Sequence, residues 1–165
     1  MRVGIGYDIH RFNGRRGTLK LGGISIPHAR RLAGHSDADV LLHAIADALL
    51  GAIGAPDVGE LFPPTDPKYQ NADSRVFVQE AHARARRAGW QVSNVDATVV
   101  TDEPTLTPYK PKMRQAISRL LHVKPSDVSV KAKTTEGLPP GKRGIAAHVV
   151  VLLKKTRDQR PETQG

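Results

Sequence analysis

The stretch "GIGYDIHRF", residues 4–12, reads as an apolar strand that carries a carboxylate and an imidazole two positions apart. Strand side chains alternate between faces, so Asp8 and His10 are expected to point to the same side of a sheet. Two readings compete: a half-built metal site, or a strand that ends in a polar turn. The D-x-H spacing alone favours the second.

The chain around it has 165 residues and no cysteine. That length suits one domain with a real core. Without cysteine there are no disulfides, thiolate metal sites or cysteine nucleophiles. Any zinc must be held by His, Asp or Glu, which makes the seven histidines informative. No run of about 18 apolar residues appears. A strand begins at Met1–Arg2–Val3, leaving no room for a leader peptide, so a soluble, cytoplasmic protein is expected. The formal charge of +9 would suit nucleic acid, but aromatic residues are only 4% of the chain, too few for stacking platforms. A phosphate-rich small ligand suits the charge equally well.

The first strand is predicted over Arg2–Tyr7, followed by a hairpin in "TLKLGGISIP" turning at Gly22–Gly23. The strongest helix runs from about Asp37 to Ile53, with Val40, Leu41, Ile45, Ala48, Leu49 and Ile53 at helical spacing. Ser36 and Asp39 resemble a capping box at its start. The long loop "GAPDVGELFPPTDPKYQNAD" has the size of a functional lid. Helices from Ser74 to Ala88 and from Lys110 to Leu121 follow, with strands at Gln91–Val100, Val128–Lys133 and Ile145–Leu153. The fold class is α+β: one domain over residues 1–153, then a polar, disordered tail at 154–165. With helices on one sheet face only, the other face must pack on something, and a copy of the chain is the simplest partner.

A third donor for the strand pair would come from His43, one turn into the strong helix. Asp, His and His with an open fourth position form the pattern of a catalytic zinc site. Asp47, at i+4 on the same helix face, is placed to orient the His43 ring. The competing reading of His43 is a partly buried histidine with no ligand. His35 and Ser36, just before the helix, suit a phosphate at its N-terminus, although Ser36 also reads as a plain cap. "VKAKTTEG" ends a strand with Lys133, Thr134, Thr135 and Glu136, groups able to hold phosphate and a hard cation, or merely a strand leaving for solvent. Asp57, Gly59 and Asp66 could accept sugar hydroxyls or serve turns.

Together, "GIGYDIHRF", "GHSDADVLLHAIADALLGA", "DVGELFPPTDP", "ADSR" and "VKAKTTEGL" occur in the order and spacing of a known family. Over residues 1–153 the chain closely resembles the 2-C-methyl-D-erythritol 2,4-cyclodiphosphate synthases of non-mevalonate isoprenoid synthesis. The resemblance implies a mixed four-stranded sheet, with sheets facing inward in a homotrimer and active sites between subunits. It implies zinc on Asp8, His10 and His43, and a second cation, Mg2+ or Mn2+, on Glu136 and the substrate diphosphate. Substrate contacts are implied at Asp8, Ile9, His10, His35 and Ser36. The methylerythritol end is implied at Asp57, Val58 and Gly59 and at the flexible loop Phe62, Pro63, Pro64, Thr65 and Asp66. The cytidine end falls on Thr101, Asp102, Glu103, Pro104, Thr105, Leu106 and Thr107, together with Lys133, Thr134, Thr135 and Glu136. Arg143 matches the family's arginine, and His35 and Thr134 match positions that stabilise the transition state.

Three departures from the family pattern stand out. Pro64 replaces a usual aspartate, Thr105 replaces a usual lysine, and the loop "GLPPGKRGIA" is short. All lie in loops, so altered affinity and retained chemistry are expected. The implied reaction converts 4-diphosphocytidyl-2-C-methyl-D-erythritol 2-phosphate to the cyclic diphosphate and CMP, with no membrane or nucleic-acid partner. Two rival readings stand beside it: a zinc hydrolase that uses the same three ligands to activate water on a phosphoester, and a basic nucleic-acid-binding protein.

Overall fold

The protein is described by a computed structural model covering residues 1–14 and 17–156. Strand β1 (Arg2–Arg11) pairs antiparallel with the long C-terminal strand β6 (Gly144–Lys155). Strand β4 (Trp90–Val100) lies antiparallel to β6 on its other side, and β5 (Val128–Lys133) runs parallel to β4 at the far edge. The order β1-β6-β4-β5 is therefore a mixed four-stranded sheet, as expected. Strands β1, β4 and β5 run in one direction, so their C-terminal ends gather at one end of the sheet. The short strands β2 (Leu19–Leu21) and β3 (Ile24–Ile26) form a separate hairpin through Gly22 and Gly23. Both glycines have positive φ, 62° and 78°, which a two-residue turn requires.

Helix α1 (Val40–Ala52) lies across the sheet and is buried along most of its length. It starts later than expected, and its N-cap is Asp39 rather than Ser36. The Asp39 side chain accepts from Leu42 N at 3.1 Å and from Gly22 N and Gly23 N at 2.8 and 2.7 Å. One buried carboxylate thus caps α1 and ties the hairpin turn to it. The hairpin turn thus packs against this end of α1. The loop after α1 holds the short helix α2 (Val58–Leu61). Helices α3 (Arg75–Arg87) and α4 (Lys110–Leu121) complete the helical layer. Gly89, just past α3, has the expected left-handed φ of 81°.

Strand β1 continues past Tyr7 to Arg11 because β6 pairs with it throughout, His10 opposite Ile145 and Arg11 opposite Gly144. Asp8 and His10 are therefore on regular strand and share the helix-covered face. The opposite face carries Val3, Ile5, Tyr7 and Ile9 and is bare. Strand β6 extends to Lys155, and Thr156 N bonds Gly89 O at 3.0 Å, so the start of the expected tail is ordered sheet. The remainder of that tail, 157–165, lies outside the described residues.

The contact of α1 with β1 is backbone on backbone. A methyl group added at Gly4 would stand 1.9 Å from Ala48 O, and one at Gly6 would stand 1.8 Å from Ala44 O. Neither neighbour can yield without moving the helix. Gly51, exposed on α1, meets only Ile5 O at 3.8 Å. Gly6→Ala should cost about 3 kcal/mol or more by forcing helix and strand apart. Gly51→Ala should stabilise by up to about 1 kcal/mol through helix propensity. Denaturant unfolding of both variants checks the opposite signs.

Candidate metal centre

Because Gly6 admits α1 onto β1, the first turns of that helix stand over the next residues of the strand. His43, one residue before Ala44, reaches Asp8, two residues after Gly6. His43 Nδ1 and His10 Nε2 each lie 3.0 Å from Asp8 Oδ2, and 3.2 Å from one another. These three residues are the group among the described residues whose donor atoms could hold a metal ion.

The outer nitrogens of both rings are committed elsewhere. His10 Nδ1 donates to Ala33 O at 2.7 Å, which leaves the Nε2 lone pair facing inward. His43 Nε2 lies 2.8 Å from Ser74 Oγ and 3.1 Å from Ser36 Oγ. Ser74 Oγ donates its own proton to Asp37 Oδ1 in a short hydrogen bond. The proton between ring and hydroxyl must then come from His43 Nε2, which frees Nδ1 as a lone pair. Two imidazole lone pairs and a carboxylate oxygen converge, and only a proton or a cation can satisfy them. The donor set fits a divalent metal with an open coordination position.

The electrostatics agree. Burial pushes the Asp8 pKa up, but hydrogen bonds and charge from His10 and His43 outweigh it and hold the carboxyl far below its ordinary range. Burial pushes His10 down, but its hydrogen bond and charge pairing with Asp8 raise it overall. The same pairing favours the charged form of the His10 ring beside the Asp8 carboxylate.

Asp47 does not orient His43. Its Oδ1 instead accepts from Val58 N at 2.8 Å, at the start of α2. An i+4 position on a helix face allowed that role but could not decide between two acceptable donors. The groups that do support His43, Ser74 and Asp37, were not identified from sequence. They come from the N-cap position of α3 and the segment before α1, and only the packing of those helices joins them.

The loop carboxylates serve local turns: Asp57 Oδ1 accepts from Glu60 N at 2.8 Å and Asp66 Oδ1 from Lys68 N at 2.9 Å. Phe62 packs on Phe77 and Tyr69, with ring centroids 4.8 and 5.3 Å apart, while Pro64 and Thr65 are exposed. His35 is exposed before α1, its carbonyl accepting from Asn71 N at 2.7 Å. The Ile9 side chain points away from Asp8 and His10, but the residue borders a cavity of about 540 Å3 beside His10. Arg30 and Arg143 line the same cavity.

The second expected cluster forms around the ends of β4 and β5. Thr101 N donates to Lys133 O at 2.9 Å, and Thr135 N and Oγ1 donate to Asp102 Oδ1 at 2.8 and 2.9 Å. Thr134 Oγ1 makes a short hydrogen bond to Glu136, which sits at a left-handed φ of 52°. Leu106 is core, 3% exposed, so its side chain cannot meet a ligand, whereas Thr105 and Thr107 are exposed. Strand β5 is three strand spacings from β1, about 14 Å. Within one chain, then, Glu136 and the Asp8 group occupy the same end of the sheet but opposite edges.

Fold and site define a class: an α+β domain with a half-buried carboxylate and two half-buried imidazoles, one of which, His10, lines a cavity. Residues 1–154 match the YgbB family. The chain is 54% identical to the 2-C-methyl-D-erythritol 2,4-cyclodiphosphate synthase of Syntrophomonas wolfei subsp. wolfei, over 94% of this chain and 99% of that one. It is 49% identical to the synthase of Koribacter versatilis, over 94% and 99%. A solved structure of a synthase of the same name, in its CDP-bound form, superposes with a TM-score of 0.86 at 37% identity, covering 93% of this chain and 100% of that one. The chain belongs to the YgbB family of 2-C-methyl-D-erythritol 2,4-cyclodiphosphate synthases.

Loss of the hydroxyl that holds His43 should weaken metal binding. Ser74→Ala is expected to lower zinc affinity by about 10- to 100-fold. Asp47→Ala should leave metal affinity unchanged and cost about 1 kcal/mol of stability through the lost bond to Val58 N. Equilibrium dialysis with metal analysis, beside thermal unfolding, separates the two.

Proposed function

We propose that this chain converts 4-diphosphocytidyl-2-C-methyl-D-erythritol 2-phosphate into 2-C-methyl-D-erythritol 2,4-cyclodiphosphate and CMP, acting as a phosphorus–oxygen lyase in isoprenoid precursor synthesis. The observation that carries the reading is the convergent Asp8–His10–His43 donor group, in a chain 54% identical to a named synthase. An oxygen of the 2-phosphate bonds to the β-phosphorus while the bond from that phosphorus to the bridging oxygen breaks, and CMP leaves with the bridging oxygen. Nucleophile and electrophile share one molecule, so the protein has to fold the substrate into line and offset its negative charge. No protein nucleophile is needed, in keeping with the absence of cysteine.

Asp8, His10 and His43 hold the first metal, read as zinc, and Glu136 holds a second, magnesium or manganese. When bound, the two ions supply Lewis-acid neutralisation of the diphosphate. In this reading His35 and Thr134 serve the transferring phosphoryl group as hydrogen-bond donors. Ser36 supports His43 and keeps any ligand contact secondary to that role. Asp57–Gly59 and the Phe62–Asp66 loop take the polyol, and Arg143 takes phosphate at the cavity beside His10. Thr101–Thr107 and Lys133–Glu136 take the cytidine diphosphate end. Their separation from the Asp8 group within a chain, about 14 Å by strand spacing, supports a site completed by a neighbouring copy.

The same reading makes the assembly a homotrimer with the bare sheet faces inward. Val3 and Ile5 are 65% and 71% exposed, a continuous apolar strip that a monomer rarely leaves in water. A cytoplasmic location belongs to this reading. The hydrolase and nucleic-acid readings gain no support from the fold or the relatives.

Incubation with the diphosphocytidyl substrate should yield the cyclic diphosphate and CMP; a linear phosphate product would mean a hydrolase. His43→Ala should abolish bound zinc and CMP release while the trimer persists in sedimentation. Glu136→Gln should weaken the magnesium or manganese requirement and leave zinc content intact. Full activity in zinc-depleted His43→Ala would sink the assignment.

A further inference from the structure

A groove of about 930 Å3 runs between α3 and α4, on the helical side of the protein and away from the metal donors. Both helices line it with the same periodicity. Gln79, His82, Ala83 and Arg86 from α3 fall at i, i+3, i+4 and i+7, as do Lys112, Gln115, Ala116 and Arg119 from α4. The small residues Ala83 and Ala116 sit at the middle of each stripe and give the groove depth. Ile24 and Leu120 add apolar surface.

The charge in this groove is one-sided. Arg86, Lys112 and Arg119 make no ion pair among the described residues, and no acidic residue lines the groove. Arg75, at one end, is paired with Asp73. His82 is only 6% exposed and lines the groove from α3. It stacks on His122, with ring centroids 5.5 Å apart and planes 26° from parallel. Burial, and then the neighbouring charges of His122 and Arg86, depress its pKa. Three cations without a counter-charge around one groove are an arrangement that an anion would relieve.

We infer that this groove is a second ligand site, separate from the metal centre, and that it takes a small organic diphosphate. Arg86, Lys112 and Arg119 hold the phosphates, and His82 donates a hydrogen bond from the groove wall. Ile24, Ala83, Ala116 and Leu120 accept the organic part. The volume lies in the range of small-molecule pockets, and the lining has no large aromatic side chain on which a nucleic-acid strand could stack. The groove lies opposite the bare sheet face, so burial of that face against another copy leaves it open.

ADP is the probe, because its adenine is foreign to a site read as binding cytidine. Calorimetric titration of the zinc-loaded full chain in 150 mM chloride should show ADP binding (a chosen buffer, on the order of physiological ionic strength). Arg86→Gln combined with Arg119→Gln should weaken it at least about tenfold, with CMP release unchanged. Lys124→Gln combined with Lys154→Gln removes equal charge elsewhere and should leave ADP affinity within about twofold. Three results would overturn the inference: parental affinity in the groove variant, an equal loss in the control variant, or CMP release falling together with ADP binding.

Discussion

The approach of α1 to β1, with no side chain between them, governs the rest of the structure. Gly4 and Gly6 face the carbonyls of Ala48 and Ala44, and alanines at every fourth position keep the helix surface flat enough to lie on the strand. The contact sets the height of α1 over the sheet as well as its register along β1. Both are needed for His43 to reach a carboxylate and an imidazole that leave the strand two residues apart. A separation larger by one methyl group, about 1.5 Å, would take Nδ1 out of coordination range of a metal shared with Asp8 and His10. The convergence of the three donors is thus a consequence of packing before it is a consequence of chemistry.

Position alone does not make imidazoles into ligands; their protons must be directed elsewhere. Ala33 O takes one from His10, and the Ser74–Asp37 pair fixes the other on the outer nitrogen of His43. These partners lie on three separate segments, the connection before α1, the residues just ahead of it, and the start of α3. Asp37 N also bonds Ala72 O at 3.0 Å, which joins the segments before α1 and α3 independently of the ring. The groups that hold the two rings therefore belong to the framework of the fold, and the tautomers are set before any ion arrives.

The sequence disclosed this site unevenly, for physical reasons. Strand alternation placed Asp8 and His10 on one face, and helical spacing placed His43 on the helix most in need of a sheet to cover it. Both rest on local periodicity, and both hold. Strand β1 runs past the expected end at Tyr7: polar residues at 8, 10 and 11 look like a turn, and pairing with Gly144–Ala147 is a long-range fact. Ser36 resembled the cap of α1, but Asp39 outcompetes it by also binding Gly22 N and Gly23 N, a contact between segments that no local pattern carries. Asp47 illustrates the same limit, since an i+4 rule names neighbours without saying which donor wins. Long apolar elements were legible throughout, and partner choice among polar side chains was not.

The two faces of the molecule pose opposite electrostatic problems. The sheet face is apolar along Val3, Ile5 and Val150, and exposure there costs free energy that a like surface removes without any charge pairing. The α3–α4 face holds cations without counter-charges, and a second copy of the same face would only add repulsion. Self-association through the helices is therefore disfavoured by the same residues that favour an anion, and association through the sheet is left as the low-energy choice. Charge and apolar surface are thus segregated to opposite sides of the sheet. This leaves the sheet strip better suited to a like surface and the helical groove better suited to an anion.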